Sequence, residues 1–373
     1  MHAIADQLPV GVEACDCLTP FGDAAANATA LLAGRVALAL SPVLGRDGGD
    51  LVPLALLGPM DETLTPRWLP ALRVFAGTIP DGAWGSAREP VIVTSSNFGV
   101  GSIYAFTRDR DARHLEHGTP FATVDFIRRE FGWGEHVYVF SHACVTAHLG
   151  LAHAARLLHA GVAARVLVFS FDFVSAFVAG GFHSLKILNG VLPAPYAFRA
   201  AGSIGLGDGA AYAVLRRAAG PFRIQAHALH NEMFHFTSNQ PDGAGFNTCA
   251  AAIAATTEGR RVWVKGHGTG TLEAGRHEAE AIARHFPGAP LTGWKGSLGH
   301  TLGSCGLVEM AIALAALRGS GSNGMIPGTV GGTAPGYSEE VALAPFSAQG
   351  FDGAILSSNA FGGAHAAMLL THD

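Results

Sequence analysis

HVYVFSHACVTAHLGLAHAARLLHAGVAARVLVFS (136–170) reads as strand, helix, strand. HVYVF (136–140) and ARVLVFS (164–170) are short runs rich in Val and Phe, the composition of buried strands. Between them, Val145 to His159 places Leu149, Ala152, Leu157 and Leu158 at helical spacing, and Gly161 supplies a C-terminal stop. Outward from this core, PVIVTSS (90–96) and AAYAVLR (210–216) read as further strands. The scheme then repeats. RVWVK (261–265) and LTGWK (291–295) predict strands, and Glu273–His285 predicts a helix. Leu302–Arg318 predicts another helix, with Leu307, Met310, Ala311, Leu314 and Leu317 on one face and Gly319 at its end. AILSSN (354–359) and HAAMLL (365–370) form a hairpin-like pair around Gly362-Gly363. Such a repeated order implies a duplicated α/β unit, divided here into 1–216 and 217–373. Residues 189–205 and 217–245 read as loop-rich zones near the join.

The chain has 373 residues, a formal net charge of -5 and only 14% charged residues, against about 25% in typical soluble domains. That length supports a large core. With 49% hydrophobic residues, part of the surface is expected to be covered by another subunit. Disorder is excluded by the same numbers. A negative net charge and the lack of any basic run argue against nucleic acid. The longest charge-free stretches, 319–338 and 353–372, are broken by Pro327, Pro335 and several Gly, or carry Ser, Asn and His, so no membrane span is expected. The opening MHAIADQLPV lacks Lys and Arg and has Asp6, which fits neither a signal nor a transit peptide. Five sparse Cys without metal-site spacing predict a reduced, cytoplasmic protein.

Chemistry concentrates at three corners. Cys144, in SHACVTAHLG, opens a helix after a strand, where free N–H groups and the helix dipole favour a thiolate. His267, in KGHGTGT (265–271), follows a strand and precedes a Gly-Thr turn whose small residues let a substrate approach. This is no phosphate loop, because the Gly spacing and the Lys-Ser/Thr end are missing. Lys295, one of only three Lys, ends the LTGWK strand, and His300 precedes the next helix. His300 holds, in the second half, the corner that Cys144 holds in the first. A pseudo-twofold axis between the halves would face these corners across one pocket. One thiolate and two neutral imidazoles suit acyl transfer through a thioester, with the imidazoles holding an enolate oxygen.

ACVT around Cys144, GLGDGA (205–210), KGHGTGT (265–271), KGSLGHTLGSCG (295–306) and AFGGAH (360–365) occur in an order that resembles the β-ketoacyl synthases. The likeness is to their elongating, decarboxylating branch. TPFGDAAANATALLAG (19–34) is similar to that family's first loop and helix, so the resemblance spans nearly the whole chain. It implies a thiolase-like fold, two duplicated α/β halves in an α-β-α-β-α stack. It implies an acyltransferase that condenses a Cys-bound acyl chain with malonyl-carrier protein, in fatty-acid-like, polyketide or polyene synthesis. By the resemblance, Cys144 is the nucleophile, and His267 and His300 hold the malonyl thioester and its enolate. Lys295 supports them, Glu278 balances Lys295, and Phe361 is the gate. Thr269 and Thr271 would contact substrate, and the N–H groups of Cys144 and Phe361 would form an oxyanion hole. No cofactor or metal is implied beyond the phosphopantetheine of an acyl carrier protein. A dimer is implied, of two copies or of paralogous chains, joined by a strand edge of each first half.

Several positions depart from the family's pattern. Gly275 stands where the family usually has Asp, Asp208 replaces a Glu, and the C-terminal motif ends in Ala364-His365. These changes imply a specialised synthase and keep two alternatives open. One is a chain-length-setting, inactive subunit of a heterodimer; the other is an acyl hydrolase or transferase on the same fold. Priming synthases use a Cys–His–Asn set, but here His300 takes the third position and Asn359 lies in a separate C-terminal loop. Cys305, the last Cys, falls at a helix start where packing is its expected role. Arg108, Arg110, Arg113, Arg128 and Arg129 are candidate contacts for an acidic carrier, and FSFDFVSAFVAGGF (169–182), with Phe234 and Phe236, is the candidate acyl wall.

Overall fold

Strands with apolar residues at both odd and even positions must be covered on both faces, and here they are. The computed structural model describes residues 5–44, 49–197, 202–218, 220–235, 237–319, 323–330 and 341–372. In the first half the strands are β1 (Val10–Leu18), β2 (Val91–Thr94), β3 (Val137–Phe140), β4 (Arg165–Asp172) and β5 (Gly209–Arg216). In the second they are β6 (Phe222–Asn231), β7 (Val262–Lys265), β8 (Leu291–Thr292), β9 (Gly353–Ala360) and β10 (Ala364–His372). They run β8-β7-β9-β10-β6-β1-β5-β4-β2-β3 across one sheet, with Ala5–Asp6 added beside β6. Each half therefore has the order third-second-fourth-fifth-first. The directions match as well: the second strand is parallel to the third and fourth, and the other pairs are antiparallel. The halves meet through the short pairing of Arg223 with Gly11 and Ile224 with Val10. This is a duplicated α/β fold of thiolase-like architecture.

Helices supply the covering layers. In the first half, α1 (Leu69–Ala76) and α2 (Pro120–Glu130) lie outside, packing Leu72, Phe75 and Ile127 on Val91, Val93, Phe169 and Phe171. Two helices fill the middle: α3 (Thr146–His159), and α6 (Cys305–Leu317), named here with α4 (Ala244–Ala254) and α5 (Leu272–His285), which cover the second half's outer face. The strand period decides the allocation. Ile92 and Val168 face the middle layer, whereas Val91, Val93 and Phe169 face outward. Helix α6 touches both halves of the sheet, which is why Cys305–Ala316 are buried all round, where the sequence predicts a single apolar face. Helices α3 and α6 come close at Gly306, where a Cβ would sit 2.6 Å from Cδ2 of His148.

Three segments differ from their sequence reading. The zone 217–245 contains the ten-residue strand β6, buried at Phe222, Ile224 and Ala226–Ala228, where a loop is expected. LTGWK forms only a two-residue strand, and Lys295 begins the short helix Lys295–Leu298. The helix after His300 starts with a 3-10 turn at Leu302–Ser304 before α6. No helix of the described residues is long and apolar enough to cross a membrane.

The middle layer contains imidazoles that the fold keeps neutral. His148 and His227 are buried, with no partner on either ring nitrogen among the described residues. Burial lowers His148 to about 3, helped by His227 and the nearby Lys265 and Lys295, and lowers His227 to about 4. The unfolded chain binds protons on both below about pH 6.5, and the folded chain does not. Their contribution is therefore complete above that pH and is lost as pH falls towards 4. Each should remove about 2 kcal/mol of stability at pH 5. Thermal melts at pH 7 and pH 5 should show a clearly lower midpoint at pH 5, and equal midpoints would contradict neutral burial.

Candidate active site

Cys144 is presented by a strained turn. Ala143, just before it, has φ 45°, a region that costs most non-Gly residues energy. The turn sets Cys144 ahead of α3, 9% exposed. His300 reaches it from the second half, with Nε2 2.9 Å from Sγ. The N–H of Leu302 donates to Nδ1 of His300 at 3.2 Å. Nδ1 is therefore the acceptor, and in the neutral ring Nε2 carries the proton. His300 thus donates towards the sulfur. His267 stands beside it, ring centroids 4.9 Å apart and planes at 87°. The ligand atoms of Cys144, His267 and His300 lie within 4.8 Å of one another. The two predicted corners do meet in one pocket.

Could this trio hold a metal? Its donor chemistry speaks against it. The lone pair of His300 already accepts the Leu302 N–H, and two ammonium groups lie close behind. The arrangement instead offers N–H donors to an anion.

Glu278 orients His267 through the backbone. Its Oε1 accepts the N–H of His267 at 2.7 Å and its Oε2 the N–H of Gly268 at 3.0 Å. Tyr196, Ser357 and Asn359 donate to the same carboxylate. Glycine is needed in this turn: Gly268 has φ 45°, and a side chain at Gly266 would collide with the Tyr196 hydroxyl. Glu278 neither lines the cavity nor pairs with Lys295, contrary to expectation. Two backbone N–H groups of the turn and three side-chain donors occupy the carboxylate's oxygens.

Lys295 pairs with Glu309 of α6, Nζ to Oε1 at 2.6 Å. The other oxygen of Glu309 pairs with Lys265, so one carboxylate serves two ammonium groups, all three residues being buried. Burial presses down on both lysines. Glu309 nevertheless holds Lys295 above its ordinary value, while Lys265 falls to about 8. His267 and His300 are pushed far down by burial and then by these cations. Burial raises the Cys144 thiol, with Cys305 adding and Lys295 opposing. The resting thiol is therefore protonated, where the helix N-terminus alone suggests a thiolate. Neither Glu309 nor Lys265 is among the residues the sequence reading assigns to the site. Their signals were present: Lys265 is one of three Lys, and Glu309 is the one acid in CGLVEMAIALAAL.

A cavity of about 230 Å³ opens above Cys144. Thr269, Thr271 and Asn239 give it a polar side; Phe182, Ile187, Ile204 and Phe361 give it an apolar one. Phe361 stacks on Phe182 at 5.8 Å. Of the predicted aromatic wall only Phe182 reaches the cavity. Phe169 and Phe171 belong to the outer core, Phe234 is 52% exposed away from the lining, and Phe236 lies outside the described residues. Asn359 is on β9 and lines the cavity, where a loop is expected. Cys305 is buried, its thiol 3.4 Å from the Cys144 carbonyl oxygen. Asp208 binds Arg67 through both its oxygens, at 3.0 and 2.7 Å. Most of the candidate docking arginines have local carboxylates: Arg108 meets Asp109, Arg113 meets Asp111, and Arg128 and Arg129 meet Asp125.

Residues 222–332 match the model of the β-ketoacyl synthase C-terminal domain. That stretch carries His267, Lys295, His300 and Glu309. Over this stretch the chain is similar to the β-ketoacyl synthases. Among relatives, the tetracenomycin polyketide synthase ketoacyl synthase alpha subunit of Streptomyces glaucescens is 29% identical over 184 residues. That alignment covers 44% of this chain and 42% of the relative, so the match spans less than half of the relative's length. The whole chain superimposes on a β-ketoacyl synthase from Burkholderia phymatum STM815 at TM-score 0.80, 18% identity and 100% coverage of each chain. It also superimposes on the structure of the ketosynthase ApeO in complex with its chain length factor ApeC, from Xenorhabdus doucetiae, at TM-score 0.77 and 19% identity over 98% of each. At such identities these two structures bear on the fold.

Proposed function

We propose that this protein is a decarboxylating β-ketoacyl synthase, an acyltransferase whose nucleophile is Cys144. The 2.9 Å approach of the His300 imidazole to the Cys144 sulfur, with His267 beside it, carries this reading. The thiol attacks the thioester carbonyl of a carrier-bound acyl chain. The C–S bond to the carrier breaks, and the departing thiol takes the proton of Cys144. A malonyl thioester then loses its carboxylate as CO2, and the electron pair passes to the thioester oxygen as an enolate. The Nε2–H of His300, with His267 beside it, stabilises that oxygen. The enolate carbon attacks the Cys-bound carbonyl, and the sulfur leaves and is reprotonated from solvent. The N–H groups of Cys144 and Phe361 are the proposed oxyanion donors, Phe361 the gate, and Thr269 and Thr271 the contacts for the carrier's pantetheine arm. Lys295 supports the histidines' charge environment, and Glu278 fixes the His267 loop.

The halves are taken as 1–216 and 217–373, a division the repeated strand order supports. The proposed partners are an acyl carrier protein and a second ketosynthase-like chain, identical or paralogous. The edge strand β3 pairs only with β2 among the described residues and is half-exposed, so it can extend the sheet into a dimer. All five Cys are free, which supports a reducing, cytoplasmic location. No cofactor is required beyond the carrier's own arm. Retention of Cys144 and both histidines disfavours the inactive chain-length subunit. With acyl- and malonyl-carrier proteins, the purified protein should release CO2 and yield the extended β-ketoacyl carrier. Cys144→Ala should abolish extension; an unchanged extension rate would remove Cys144 as nucleophile.

A further inference from the structure

We propose that Lys265 is a positioning residue for the anionic steps at Cys144, leaving one positive charge in excess over Glu309 behind the two imidazoles. The inference rests on the ketosynthase reading but is tested without ketosynthase turnover. Lys265 ends β7, two residues before His267, and is fully buried. Its ammonium pairs with the Glu309 carboxylate that also holds Lys295 at 2.6 Å. Two cations therefore share one anion in a region closed to water. Glu278 acts on Lys295 only through space, and its oxygens take donors from His267, Gly268, Tyr196, Ser357 and Asn359.

The charge in excess over Glu309 acts in the direction the chemistry needs. It opposes a proton on His267 and His300, keeping them neutral donors. Lys295 already lowers the Cys144 thiol against burial, and by Coulomb's law a second cation on the same carboxylate favours a negative sulfur or enolate oxygen in front of the rings in the same sense. Around Lys265 the titratable and charged groups are Glu309, Lys295, Cys305, His148, His267, His300 and, farther off, Glu278. The histidines stay neutral above pH 6.5, and Lys295 stays charged, so Lys265 is the cation of this group that changes charge near pH 8.

The test is alkylation of Cys144 by iodoacetamide in the full chain between pH 6.5 and 9.5, followed by intact mass and peptide mapping. In Lys265→Met the rate should fall on the order of tenfold below pH 8, and the gap should close above pH 9, where the native lysine is itself neutral. A merely structural role would give a gap independent of pH. That result, or equal rates throughout, would overturn the proposal. The unmodified protein provides a second reading that does not depend on the variant's folding. Its log-rate profile should flatten near pH 8, as the thiol loses the help of Lys265, and then resume its rise. A straight profile across the range would overturn the proposal. Absence of CO2 release from malonyl-carrier protein would instead count against the ketosynthase reading and leave the alkylation result intact.

Discussion

His300→Ala should still take an acyl group on Cys144 while CO2 release from malonyl-carrier protein falls by ~10²–10³. The expectation follows from the direction of one hydrogen bond. Leu302 donates to Nδ1, so Nε2 carries the proton and cannot serve as the base that removes the thiol proton. Acylation moves that proton to the departing thiol and does not need His300 as acceptor. Decarboxylation puts charge on an oxygen that needs Nε2–H as donor. His267→Ala should behave similarly, because its ring stands beside His300 over the same space. Intact mass reads the acyl adduct and trapped CO2 reads the second step. Unimpaired CO2 release in both variants would refute this division of labour, as would loss of the adduct in a folded His300 variant.

Glu309→Ala should unfold the protein or nearly so. The substitution strands two ammonium groups in a dry layer, at Lys265 and Lys295. Breaking a buried pair by removing one partner costs about 3–5 kcal/mol, and here two pairs break at once. A domain's whole stability is about 5–15 kcal/mol. Adding Lys265→Met to Glu309→Ala removes one stranded charge and should recover part of the loss. Urea unfolding of the single and double variants measures this. A Glu309→Ala protein as stable as the parent would mean that the lysines are not charged in the fold.

The parts of the site that the sequence revealed are those carried by local signals. Cys144, His267 and His300 each sit at a strand-to-helix corner, and a repeat of such corners brings them together once the halves pair. The partner of Lys295 is a different kind of fact. Glu309 lies fourteen positions on, in a helix that reads as plain apolar core, and only its burial against both sheet halves selects it over Glu278. The β6 strand is not legible locally because FRIQAHALHN lies in a loop-like context, and its pairing with β10 comes from residues far along the chain. The aromatic run from Phe169 failed as an acyl wall for a geometric reason. Strand alternation turns Phe169 and Phe171 to the outer layer, and only Phe182, beyond the next turn, faces the cavity.

The near-contact of α3 and α6 at Gly306 ties the reactive pair to the alignment of the two lobes. The helix that presents the sulfur and the helix that follows the His300 corner abut there, with no room for even one methyl beside His148. Any wedge at that seam shifts one reactant relative to the other, so the thiol–imidazole separation works as a gauge of lobe alignment. A substitution at that seam can thus silence the chemistry while the pocket lining stays intact.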